Sequence, residues 1–292
     1  MPELPEVDAL VMFLRETALG RVVDRVEPVA VSALKTFDPP ITALRGTALA
    51  AVRRHGKFLD LVFATETGEP LDLVIHLARA GWLRWRSTQP TAPARPGRGP
   101  LALRLTFDDR SGFDLTEAGT QKRLSVHLVR DPADVPGIAR LGPDPLGTDF
   151  TVEALGEILA GAGRSQLKGV LTDQARLAGV GNAYSDEALW AARMSPYRPA
   201  AALTAPEVAQ LHAQLVGVLT EARQAAAGLA AGELKAEKKA NLSVHGRTGL
   251  PCPRCGDTIR EVSFADRSLQ YCPSCQTGGR TLADRRLSRL LK

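Results

Sequence analysis

Long hydrophobic runs are missing from this chain of 292 residues: no uninterrupted apolar stretch approaches the roughly 20 residues that a membrane-spanning helix needs. A secretory leader is missing too, because acids and prolines stand at the N-terminus where a leader carries a basic region and an apolar core. These absences point to a cytoplasmic protein, nucleoid-associated in a bacterium, with no membrane partner. Cysteine is absent everywhere except between residues 252 and 275. No internal repeat is visible. What remains, 44% hydrophobic and 24% charged residues, is the composition of a soluble globular protein, and the length suggests two domains with a core each.

The confined cysteines are Cys252, Cys255, Cys272 and Cys275, two C-x2-C knuckles separated by 16 residues. Each knuckle turns tightly enough to place two sulfurs on one side of a metal, and four thiolates at this spacing suit a tetrahedral structural Zn2+. Disulfides are the competing use, but a chain without a secretion signal seldom keeps them. The intervening sequence reads as a β-hairpin. Charge is also uneven: residues 233–292 hold twelve Lys/Arg against six Asp/Glu, within a chain whose net charge is +5. A basic end on a near-neutral body suits a polyanion such as nucleic acid; a solvated basic tail would look the same.

Periodicity divides the chain. Residues 6–19 carry apolar side chains at helical spacing, and Gly20 is a stop signal. Short alternating runs follow (22–26, 58–63, 71–77, 101–107, 124–129), punctuated by Gly, Asp and Pro as in an antiparallel sandwich. Residues 87–100 read as a flexible surface loop. Helical periodicity then takes over at 151–162, 165–173, 183–193, 204–229 and 233–240. The fold class expected is α+β and multidomain: a β-sandwich with an N-terminal helix (1–132), a linker (133–150), a helical domain (151–245), a four-cysteine finger (246–280) and a basic tail (281–292). Within the helical part, Gly179 and Gly181 precede Asn182 in a turn between two helices. That corner is a candidate phosphate site, with an ordinary helix–helix turn as the alternative.

The chain opens Met1-Pro2-Glu3-Leu4-Pro5-Glu6-Val7. With Met1 removed, Pro2 presents a secondary amine that titrates near pH 8, nucleophilic at physiological pH and able to condense with an aldehyde carbon to a cationic iminium. Glu3 is placed to move the protons that ring opening and elimination require. An ordinary terminus is the alternative.

Together, the Met1–Val7 segment, His55-Gly-Lys-Phe-Leu59, the Leu171–Glu187 corner and the four-cysteine finger resemble the formamidopyrimidine-DNA glycosylase and endonuclease VIII family, nearer the formamidopyrimidine branch at Leu4. The resemblance implies a bifunctional DNA glycosylase and abasic-site lyase, with Pro2 as nucleophile, Glu3 as acid, Glu6 supporting the N-terminal segment and Lys57 assisting from a β-hairpin. It further implies phosphate contacts from Lys168, Asn182 and the finger-tip Arg267, one structural zinc, and a monomer acting on double-stranded DNA with damaged bases or abasic sites.

Two departures accompany it. Where the family fills the gap left by a flipped base with Met, Arg and Phe, this chain has Arg79 in His76-Leu-Ala-Arg-Ala-Gly81, and Lys122 and Leu124 as the nearest equivalents in the second loop. The 232–249 segment is also short for a loop that caps 8-oxoguanine. Oxidised pyrimidines, ring-opened purines, abasic sites and bulky alkylated bases become the expected substrates. A non-catalytic protein that binds damaged DNA is the rival reading.

Overall fold

The computed structural model describes residues 1–95, 99–264 and 268–283; Arg267 and most of the 281–292 tail lie outside the described residues. The chain divides into two compact units, one of 1–141 with 226–235, the other of 142–225 with 236–292.

The first unit opens with α1 (Leu4–Ala18), whose Leu4, Val7, Leu10, Val11, Leu14 and Ala18 form a buried stripe at helical spacing. Eight strands follow: β1 (Val23–Pro28), β2 (Ala48–His55), β3 (Phe58–Ala64), β4 (Leu71–His76), β5 (Gly81–Arg86), β6 (Leu101–Phe107), β7 (Gly112–Glu117) and β8 (Ser125–Val129). They form two four-stranded antiparallel sheets, ordered β1-β6-β7-β5 and β2-β3-β4-β8. One core joins α1 to the inward residues of both, among them Leu59, Leu61 and Phe63 of β3 and Leu103, Leu105 and Phe107 of β6. The 87–100 loop is partly pinned: Arg25 donates to the carbonyls of Pro90 and Thr91, and Ala94 N–H donates to Glu27 Oε1 at 2.8 Å.

β3 is buried on both faces because residues 131–141 cover its outer side. Val74, Val129 and Val135 cluster there with Phe58 and Ile138, and a Cβ on Gly137 would come within 2.5 Å of the Phe58 ring, so only glycine permits the approach. Two carboxyls lie on the same outer face, Asp60 and Asp72, 0% and 2% exposed, each with one buried oxygen that meets no donor. His55 Nε2 donates to the other Asp60 oxygen at 2.9 Å. Burial, and then the neighbouring Asp60 carboxylate, push the Asp72 carboxyl up to about 6. The native pair therefore keeps a proton that the unfolded chain surrenders nearer pH 4. Stability from this pair is complete below that pH and falls as pH rises toward and through 6. Asp72→Asn supplies a permanent N–H donor without the titration, so urea unfolding at pH 8 should show a gain of about 1–2 kcal/mol, absent at pH 4. An equal change at both pH values would contradict the shared proton.

The second unit contains α2 (Val152–Gly161), α3 (Leu167–Thr172), α4 (Asn182–Ala191), α5 (Ala205–Ala226), α6 (Leu234–Asn241), then β9 (Arg260–Ser263), β10 (Ser268–Tyr271) and α7 (Pro273–Thr277). Thr151 caps α2 by accepting from Ala154 N–H at 3.2 Å. Leucines from α2, α3, α4 and α5 share one core with Val180 and Tyr184. The α5–α6 connection differs from the sequence expectation. Residues 226–235 belong with the sandwich rather than with the helices: Ala226, Ala231 and Leu234 enter its core, and the buried Trp82 indole donates to Ala231 O at 2.8 Å. A buried indole N–H needs an acceptor, and this segment supplies it.

Candidate catalytic and nucleic-acid-binding sites

The N-terminal motif forms the head of α1. Glu3 is the extended N-cap residue (φ −120°, ψ −171°), and its N–H donates to Glu6 Oε2 at 2.8 Å. Pro2, Glu3 and Glu6 are all buried, and both carboxylates stand at the positive end of the helix. The early turns of α1 are tied to the β2–β3 hairpin: Asp8 Oδ1 accepts from Arg54 Nε at 3.0 Å, and Arg54 Nη1 donates to Gly56 O at 3.3 Å. Gly56 has φ +56° and turns the chain so that Lys57, 8% exposed, heads β3. One salt-bridged arginine thus connects the helix bearing Pro2 to the turn bearing Lys57.

His76, at the end of β4, pairs with Phe58 across the sheet, and the two rings lie tilted at 44° with centroids 4.8 Å apart. Burial, then the charge of Lys57 and of His127, push His76 down to about 4, so it is neutral at pH 7. The sequence motif His76–Gly81 assigns this imidazole no role. The available signal was its cross-strand position beside the hairpin lysine.

The two wedge loops divide. Arg79 is exposed in the β4–β5 turn, after Ala78 at φ +51°, and Gly81 donates to Leu77 O at 2.9 Å. A Cβ on Gly81 would collide with that carbonyl, so the turn requires glycine. Lys122 is exposed and donates to Glu117 O. Leu124 does not match the expected wedge: it is 2% exposed within the sandwich core, and its N–H donates to Glu117 Oε1 at 3.1 Å. Its side chain turns inward because β8 begins one residue later and needs an apolar entry.

In the second unit, Gln174 folds the turn before α4. Its side chain donates to Thr172 O and Val180 O and accepts from Gly179 N–H at 3.0 Å, with Gly179 at φ +83°. Asn182 opens α4 and donates to Ser268 O at 2.6 Å. A cavity of about 130 Å³ beside it is lined by Lys168, Gly169, Thr172, Phe264 and Ser268 among others. The expected direct phosphate grip by Lys168 needs correction. Its ammonium already meets Asn182 O at 2.6 Å, Ser185 Oγ at 2.8 Å and Asp186 Oδ1 at 2.6 Å, which occupy its three protons. Lys168 organises the first turn of α4.

The four cysteine sulfurs lie within 4.8 Å of one another, and none is disulfide-bonded. Separations of 3.4 Å (Cys255–Cys272), 3.5 Å (Cys255–Cys275) and 3.9 Å (Cys252–Cys275) bracket the roughly 3.8 Å that tetrahedral Zn–S bonds of about 2.3 Å require.

Three family models match in chain order: the N-terminal domain of formamidopyrimidine-DNA glycosylase over residues 1–124, its H2TH domain over 141–231, and the zinc finger found in that enzyme and in isoleucyl-tRNA synthetase over 249–278. The formamidopyrimidine-DNA glycosylase of Symbiobacterium thermophilum is 36% identical over 285 residues, covering 94% of this chain and 89% of that one. The chain belongs to the formamidopyrimidine-DNA glycosylase family. Among solved structures, the family member from Thermus thermophilus superposes with TM-score 0.77 at 33% identity, covering 96% of this chain and all of the other. The Lactococcus lactis enzyme, bound non-covalently to DNA containing an abasic site, gives TM-score 0.79 at 26% identity, covering 94% and 99%. As in that family, the finger holds one structural Zn2+: all four ligands are protein thiolates, so no position remains for an activated water.

Proposed function

We infer that the protein excises damaged bases from double-stranded DNA and then cleaves the strand as an abasic-site lyase. The observation that supports this most strongly is the head of α1, where Glu6 accepts from the N–H of Glu3, the residue after Pro2, and Asp8 links the helix through Arg54 to the Lys57 hairpin.

The chemistry starts once Met1 is removed and the Pro2 nitrogen becomes an amine. The target nucleotide leaves the stack, because its glycosidic bond is unreachable inside the duplex. The Pro2 lone pair forms a bond to C1′ and the C1′–base bond breaks, its electrons leaving with the base, which takes up the proton that the Pro2 nitrogen sheds. Glu3 protonates the ring oxygen, the sugar opens, and a cationic iminium remains. That cation acidifies the C2′ protons. Loss of one expels the 3′ phosphate by β-elimination, and the 5′ phosphate can follow; water then releases Pro2. Asn182 and the first turn of α4 are placed to hold phosphates.

Of the three residues at the expected wedge positions, Arg79 and Lys122 are exposed cations and Leu124 is buried. Together with the short 232–249 segment before the finger, this favours oxidised pyrimidines, ring-opened purines, abasic sites or bulky alkylated bases over 8-oxoguanine. We place the enzyme in the cytoplasm, at the nucleoid, acting as a monomer.

Borohydride trapping tests the reading on duplexes carrying an abasic site or each lesion class. A covalent adduct should form, map to Pro2 by mass spectrometry, and be absent from protein that retains Met1. No adduct with any duplex, alongside intact damaged-DNA binding, would leave the binding-protein reading.

A further inference from the structure

The C-terminal turn of α4 touches the zinc finger at a group that neither the glycosylase chemistry nor the thiolate set accounts for. The Trp190 indole Nε1–H donates to Cys252 Sγ at 3.4 Å, and the ring packs on the small cluster of Val244, Cys252, Ile259 and Cys272. Its other face is covered by the Arg254 guanidinium, 4.1 Å from the ring centroid, and Arg254 also donates to Trp190 O at 2.9 Å. Arg254 lies inside the first knuckle, between Cys252 and Cys255. One indole and one knuckle cation therefore grip each other on the side of the finger where Cys252 binds.

We propose that Trp190 is a positioning residue of the metal site: its N–H···S bond to the Cys252 thiolate tightens zinc binding and links metal occupancy to α4. Four thiolates around one Zn2+ leave a net charge of −2, which donors to sulfur and nearby cations offset. An N–H bond to a thiolate also lowers the energy of the sulfur lone pair that donates to the metal. A ring serving only as packing would need no N–H, and phenylalanine would fill much of the same space.

The test uses full-length protein with phenylalanine at position 190, or with β-(3-benzothienyl)alanine there, which keeps the shape of the indole and replaces N–H by sulfur. Zinc transfer to a chromogenic chelator should be about 10-fold faster in Trp190→Phe and in the benzothienyl protein, the size typical of losing an outer-shell partner. With Co2+ in the finger, the thiolate-to-metal charge-transfer band should move to lower energy in both proteins. The benzothienyl protein keeps the measurement decisive if Trp190→Phe folds poorly. Zinc release within two-fold of wild type and an unmoved band in the benzothienyl protein would overturn the proposal.

Discussion

Asp186→Ala should cost about 3–5 kcal/mol of stability, the penalty for stranding a buried charge. The carboxylate is 1% exposed and joins three parts of the second unit: Oδ1 accepts from Lys168 Nζ at 2.6 Å, and Oδ2 from His245 Nδ1 at 2.7 Å and Gln270 N–H at 3.2 Å. Without it the Lys168 ammonium keeps only a carbonyl and a hydroxyl in a buried setting, and the start of α4 loses the charge that orients it. Lys168→Met should also be costly, since Asp186 then keeps His245 and one backbone donor alone. The double change Lys168→Met with Asp186→Leu should recover much of the loss, because two apolar groups leave no unpaired charge. Urea unfolding of the singles and the double measures the coupling. Two small, additive effects would show the pair to be energetically idle.

Glu3→Gln should lower single-turnover base excision by about 10²- to 10⁴-fold, the range that positioned proton transfer contributes. Stability should change little, because the Glu3 backbone N–H still donates to Glu6 and a glutamine amide oxygen can still accept from the Glu6 N–H in the capping box. The amide keeps the shape of the carboxyl and loses its proton. Trapping on a preformed abasic site should suffer less than excision, since an abasic sugar already opens to its aldehyde without protonation by Glu3. Glu6→Ala provides the contrast: it removes the acceptor of the Glu3 N–H and should cost about 1 kcal/mol of stability as a lost cap, lowering both steps together. Equal excision by Glu3→Gln and wild type would remove Glu3 from the proton path.

What the sequence disclosed was local chemistry. The Pro2–Glu3 opening and the two cysteine knuckles were readable because their groups lie within a few residues of one another. The strands at 58–63 and 101–107 were readable because their inner faces alternate. Partners distant along the chain were not. The resemblance implies a phosphate contact for Lys168, and its tie to Asp186, 18 residues on in the next helix, needs the folded pair of helices. Leu124 looked like a wedge because an apolar residue before a strand does not announce which way it faces. The attachment of residues 226–235 to the sandwich depends on Trp82, about 150 positions earlier. The burial of Asp60 and Asp72 depends on a sheet face that Val135 and Ile138 cover from outside the strands.

The β9–β10 ribbon is the least self-sufficient piece of sheet in the protein, two strands of four residues each. Its outer strand would ordinarily present a free edge. Here the Ser268 carbonyl and the Gln270 N–H, two positions apart on β10, are taken by the Asn182 amide and the Asp186 carboxylate of α4. Two helix side chains thus act as a surrogate third strand. An edge already occupied in this way offers no template to another ribbon.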